Sequence, residues 1–108
     1  MDKMKKAAEY LIGTHDFKSF CVNKRMKKST VRMIESIQFI EEGDMLKIRY
    51  RGNGFLYNMV RILTGTLIEV GKGEREPEDM KRVLVSMDRV QAGFTAPPQG
   101  LFMEKVEY

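Results

Sequence analysis

Arg61 is the residue whose neighbours most invite chemistry. The stretch Asn53 to Val70 carries Phe55, Met59, Val60, Ile62, Leu63, Leu67 and Val70. At about 100° per residue these form one broad apolar side of a helix. Arg61 lies opposite, ringed by Tyr57, Asn58, Thr64, Gly65 and Ile68. Gly65 stands one turn beyond it, where glycine costs a helix about 1 kcal/mol relative to alanine. A helix accepts that cost where another backbone or a ligand comes close. A fixed cation, polar neighbours and a missing side chain together describe a docking face. The same residues also fit a solvated arginine beside a glycine that eases helix-on-sheet packing.

Other candidates are weaker. Lys47, Arg49 and Arg51 alternate along one predicted strand and share a face, with the run Lys24 to Lys28 as a possible neighbour. Such a stripe can follow phosphates, although most charged sheet faces are simply solvated. Phe55 and Tyr57 could stack on bases, with the core as the competing place for Phe55. His15 and Asp16 form a polar pair, but no nucleophile motif accompanies them, so a structural histidine is expected. The aspartates Asp2, Asp16, Asp44, Asp79 and Asp88 read as caps, turns, a helix start or loops. None has the setting of a held, ionised nucleophile.

The elements that must position these residues follow from periodicity. Asp2 caps a helix predicted through Ile12, with Met4, Ala7, Ala8 and Leu11 inward and Gly13 as its stop. His15 to Phe20 reads as a turn or brief helix. From Val31 the period becomes two, placing Val31, Met33, Ile37 and Phe39 on one face, with Glu35 out of pattern. Glu41 to Asp44 turn the chain into a strand from Met45 to Arg51. The helix Asn53–Val70 follows, Asn53 its cap; Pro77 then starts a third helix on Met80, Val83, Leu84 and Met87. A loop with Thr95, Ala96, Pro97 and Pro98 leads to a last strand, Leu101 to Tyr108. This order predicts an α+β sandwich: helices packed on one face of a largely antiparallel sheet.

The totals exclude several classes. A chain of 108 residues, 43% hydrophobic and 31% charged, makes one folded domain rather than a disordered tail. No apolar run approaches the roughly 20 residues of a membrane span, and the N-terminus does not read as a secretory signal. Cys21 and His15 are the only residues of their kinds, too few for a zinc site or an internal disulfide. A lone thiol suits a cytoplasmic protein, and metal chemistry is not expected. Nineteen basic residues against fifteen acidic ones give +4, which permits a polyanionic partner without demanding one.

The string Gly54-Phe55-Leu56-Tyr57-Asn58-Met59-Val60-Arg61-Ile62-Leu63-Thr64-Gly65-Thr66-Leu67 closely resembles a motif of the bacterial tRNA pseudouridine synthase A family. So do His15-Asp16-Phe17 with Phe20, Thr30-Val31-Arg32 with Ile34, and Asp88-Arg89, Thr95-Ala96-Pro97 and Gly100-Leu101-Phe102. The pieces come in the right order and cover essentially the whole chain. The resemblance implies the C-terminal half of such a synthase, a sandwich of the ferredoxin-like, RNA-recognition-motif kind. It implies isomerisation of uridine to pseudouridine in the tRNA anticodon stem-loop, with no cofactor or metal, by a cytoplasmic homodimer. By the same resemblance Arg61 pairs with an essential aspartate and contacts RNA, and Leu101 lines the target pocket; Tyr57, Asn58 and Gly65, on the helix face around Arg61, are then expected to border the substrate.

One departure matters. The family's aspartate stands in an Arg-Thr-Asp-x-Gly-Val-His-like motif of its N-terminal domain, and nothing similar occurs here. The tyrosine of that domain which stacks on the target base is missing too. The resemblance therefore predicts a fragment, inactive alone, whose partners are tRNA and the missing domain. A stand-alone RNA-binding module and a protein-interaction domain are the alternatives.

Overall fold

Along Met45–Gly52 (β3), Ile48 and Tyr50 point into the core while Lys47, Arg49 and Arg51 take the other face, as alternation requires. The structure is a computed structural model that describes residues 2–21, 29–43, 45–56, 58–96 and 101–105. β3 lies inside a four-stranded sheet with strand order β1-β2-β3-β4. Gly13–Asp16 (β1), Val31–Glu42 (β2) and β3 are antiparallel, and Leu101–Lys105 (β4) runs parallel to β3, with Leu101 opposite Ile48. The helices Asp2–Glu9 (α1), Met59–Gly71 (α2) and Asp79–Ser86 (α3) close the core, which includes Met4, Leu11, Phe17, Phe20, Tyr50, Met59, Leu63 and Leu67.

Four differences from the sequence reading have physical causes. First, residues 13–16 are a strand rather than a turn. Four residues are too few to show a period of two, and only β2 beside them makes the ladder; the brief helix survives as a 3-10 turn at Lys18–Phe20. Second, Val31 is exposed and Met33 half-buried, whereas Ile34 is fully buried. The pairing passes from Ile34↔Gly52 to Ser36↔Arg51, so Glu35 is an extra residue, and a bulge reverses which alternate residues face inward. The out-of-pattern Glu35 was the bulge itself. Third, α1 stops at Glu9; its last turn tightens into bonds such as Leu11 N to Ala8 O (2.9 Å), which still bring Leu11 into the core.

The fourth difference bears on the site. α2 begins at Met59, not at Asn53. Gly54 (φ 156°) and Asn58 (φ 58°) both leave the helical region, and asparagine is among the few side chains that tolerate the left-handed one. Asn53 caps nothing: its side-chain oxygen accepts from Met33 N (2.9 Å) and its N–H donates to Met33 O (3.1 Å), extending the β2–β3 ladder. Arg61 consequently sits in the first turn of α2 rather than in its middle.

α2 is anchored to the sheet by a buried polar contact. The Tyr50 hydroxyl lies 2.6 Å from Thr64 Oγ1, which itself donates to Val60 O (2.8 Å). Burial pushes the Tyr50 phenol far up, so it serves as a neutral donor. Tyr50→Phe removes that donor but leaves Thr64 satisfied by Val60. The expected loss is therefore about 1 kcal/mol in urea unfolding, without loss of fold.

Candidate active-site wall

The left-handed turn at Asn58 starts α2 beside a hollow of about 350 Å³ lined by Gly54, Phe55, Leu56, Asn58, Met59, Val60 and Arg61. Arg61 is half-buried at its rim and held from two sides. Its Nε donates to Ala96 O (2.7 Å) and its Nη1 to Asn58 Oδ1 (3.3 Å), while its own carbonyl accepts from Ala96 N (3.0 Å). Among the described residues no carboxylate pairs with it. A guanidinium in the first turn also meets the positive end of the helix dipole, an unfavourable position for a cation. Two positive fields thus converge on one hollow without a compensating anion among the described residues. Chemically, the arrangement can accept and keep ionised a carboxylate or a phosphate.

The partner of Gly65 is backbone. A Cβ at this position would stand 1.8 Å from Phe94 O and 2.7 Å from Phe94 C. The close approach that a glycine permits here is thus made by the segment 91–96, whose Phe94 carbonyl takes the space a side chain would need. That segment is fastened along α2. Gly93 N donates to Thr66 Oγ1 (2.8 Å), Phe94 N to Glu69 Oε2 (3.3 Å), and Ala96 exchanges its two bonds with Arg61. Arg75, with its side chain only 16% exposed, ties the clamp together through Glu69 Oε1 (2.7 Å), Asp79 Oδ2 (2.9 Å) and Gln91 O (2.8 Å). Sequence reading missed Glu69, Arg75, Gln91 and Gly93. Glu69 lies on α2 but just past the motif, Arg75, Gln91 and Gly93 lie on later segments, and Gly93 alone gave a local hint.

Within this clamp the hydrogen bond from Arg82 holds the Asp79 carboxyl below the usual range; burial opposes it, and Arg75 adds to it. A lowered folded value means stability that is fully present above the unfolded value of about 3.9 and lost as pH falls through the folded one. The wild-type urea midpoint should exceed that of Asp79→Asn near neutrality, and the gap should close under acid. A gap that persists in acid would assign Asp79 a role other than its charge.

The remaining candidates take these places. Lys47, Arg49 and Arg51 point from the sheet face opposite α2, so the fold does not bring them to Arg61; Arg51 lies 3.7 Å from Glu35. Tyr57, Lys24 to Lys28, Asp44 and residues 106–108 of the predicted last strand lie outside the described residues. Leu101 is placed by its backbone, at the first position of β4. Phe55 is half-buried against the core. His15 is structural, its ring Nε2 donating to Ile12 O (2.8 Å). Asp16 accepts from Lys18 N and the Thr30 hydroxyl, and Asp88 caps Val90 N (3.0 Å). A hollow of about 590 Å³ between α1 and β2, lined by Lys5, Glu9 and Phe39 among others, does not include Arg61. Among the described residues no three His, Cys, Asp or Glu side chains converge as metal ligands, and no helix is long and apolar enough to cross a membrane.

A four-stranded α+β sandwich with an anion-seeking arginine at one helix start is the frame into which the relatives fit. Residues 7–108 match the family described as tRNA pseudouridine synthase, and the chain belongs to that family. It is 46% identical over 108 residues to tRNA pseudouridine synthase A of Bacillus licheniformis, covering 100% of this chain and 44% of that protein. The protein of the same name from Listeria innocua is 52% identical over 108 residues, with 98% and 44% covered. That from Bacillus pumilus is 50% identical over 107 residues, with 99% and 43% covered. The chain thus spans less than half the length of these curated relatives.

Proposed function

We propose that this chain forms one wall of the active site of a tRNA pseudouridine synthase and that the catalytic aspartate comes from outside these 108 residues. The observation that carries the reading is Arg61: an immobilised guanidinium, at the positive end of α2, with no carboxylate partner among the described residues. A carboxylate entering the hollow would be held ionised by Arg61, as a nucleophile must be. The substrate is a uridine of the tRNA anticodon stem-loop, taken out of its stack before reaction. The uracil is detached at nitrogen and rejoined to the ribose through carbon, with no atom gained or lost, so no cofactor is required. Leu101, at the start of β4, forms part of the target pocket, with Tyr57 and Asn58 at its border. Lys47, Arg49 and Arg51, on the far face, offer a separate contact to RNA phosphates. The complete enzyme works in the cytoplasm as a homodimer.

The test is complementation. The purified chain is mixed with an aspartate-bearing N-terminal half from a relative, and pseudouridine formation in tRNA is followed. Activity from the mixture and from neither part alone is the expected result. Turnover by the chain alone would refute the division of the site. RNA binding without activity in any mixture would favour a binding module.

A further inference from the structure

We propose that Phe94 is a stacking platform for a nucleobase of the bound RNA, a role that rests on the function proposed above and adds a contact to it. The residue is 44% exposed, whereas Phe17 and Phe20 are fully buried. Yet the backbone that carries it is pinned on every side. Its N–H is held by Glu69, its carbonyl lies over Gly65, and its neighbours Gly93 and Ala96 are bonded to Thr66 and Arg61. A Cβ on Gly93 would stand 2.6 Å from Glu69 Oε2 and 2.9 Å from Thr66 Cα, so the chain passes here only because that side chain is absent. Two glycines and a mostly buried Glu69–Arg75 pair therefore fix the backbone that carries one aromatic side chain, whose ring edge rests over Gly65 while the residue stays 44% exposed. An ordered ring loses little freedom on binding, which is what a platform requires.

The charges around the ring select the partner. Arg61 lies one helical turn before Gly65, over which Phe94 sits. Next along the chain, Arg89 reaches Thr95 Oγ1 (3.4 Å), and its buried Nε has no acceptor among the described residues. The nearby carboxylates are engaged, Glu69 by Arg75 and Phe94 N, Asp88 by Val90 N. An exposed aromatic whose chain neighbours Thr95 and Ala96 are each bonded by an arginine fits a base with its phosphates better than a protein surface.

The chain contains no tryptophan, so Phe94→Trp introduces a single reporter at the ring. A fluorescein-labelled anticodon stem-loop RNA is titrated into this variant, alone and mixed with the aspartate-bearing half, and anisotropy and tryptophan emission are both followed. Thermal unfolding of each variant checks that the fold is kept. The expected result is quenching that saturates together with anisotropy, with Phe94→Ala binding the RNA about 5- to 100-fold more weakly. RNA bound equally by Phe94→Ala, with emission unquenched, overturns the platform and leaves the proposed function standing. A blue shift on adding the aspartate-bearing half before any RNA makes the ring a protein contact and also overturns it. No RNA bound by any mixture overturns both.

Discussion

Arg61→Lys should lower pseudouridine formation by the complemented enzyme by about 100-fold or more, with the chain still folded. In the proposed site the arginine performs three tasks at once. Its Nε holds Ala96, one Nη1 hydrogen reaches Asn58, and the rest of the planar fork is left for the incoming carboxylate. A lysine is a point charge on a flexible stem and cannot do all three in a fixed geometry. Removing one preorganised charge-stabilising donor typically costs about 10²- to 10³-fold in rate, and here orientation is lost as well. The loss to stability should be about 1 kcal/mol, since one partly exposed hydrogen bond goes. Single-turnover rates with saturating aspartate-bearing half, beside a urea curve of each variant, separate the two effects. A lysine variant within about threefold of wild type would remove Arg61 from the reaction.

Gly65→Ala is the second large effect, and two contributions of opposite sign decide it. Alanine in a helix interior gains about 1 kcal/mol over glycine. Against this, its methyl group would stand 1.8 Å from Phe94 O, and backbone cannot swing aside as a flexible side chain can. Overpacking costs about 1–3 kcal/mol where side chains can adjust, and here the bonds of Gly93, Phe94 and Ala96 to α2 must stretch with the displaced segment. Strain wins: a net loss of about 2 kcal/mol is expected, lowering the thermal midpoint by roughly 10 °C. Because Ala96 moves with the segment, Arg61 loses its orientation and activity falls too. An alanine variant as stable as wild type would mean that segment 91–96 is not seated on α2.

Much of the fold was legible because its signals are local. The alternation of Leu46, Ile48 and Tyr50 with Lys47, Arg49 and Arg51 marked β3, and Gly71 and Gly73 marked the end of α2. Asn53 misled because asparagine suits a helix cap and also a strand-end contact; the choice went to Met33, twenty residues away. β1 left no pattern of its own, since four residues acquire strand geometry only from β2 beside them.

The site divides in the same way. Sequence alone determined that Arg61 and Gly65 share one side of a helix, because 3.6-residue periodicity is a property of the chain itself. It also determined the family motifs and the absence from these residues of an Arg-Thr-Asp setting. Only the tertiary structure decided that Gly65 makes room for Phe94, that Glu69 and Arg75 clamp segment 91–96, and that Lys47, Arg49 and Arg51 face away from Arg61. Each of those outcomes depends on residues brought together from different elements. Local spacing carries no record of such meetings, because they are set by how the elements pack.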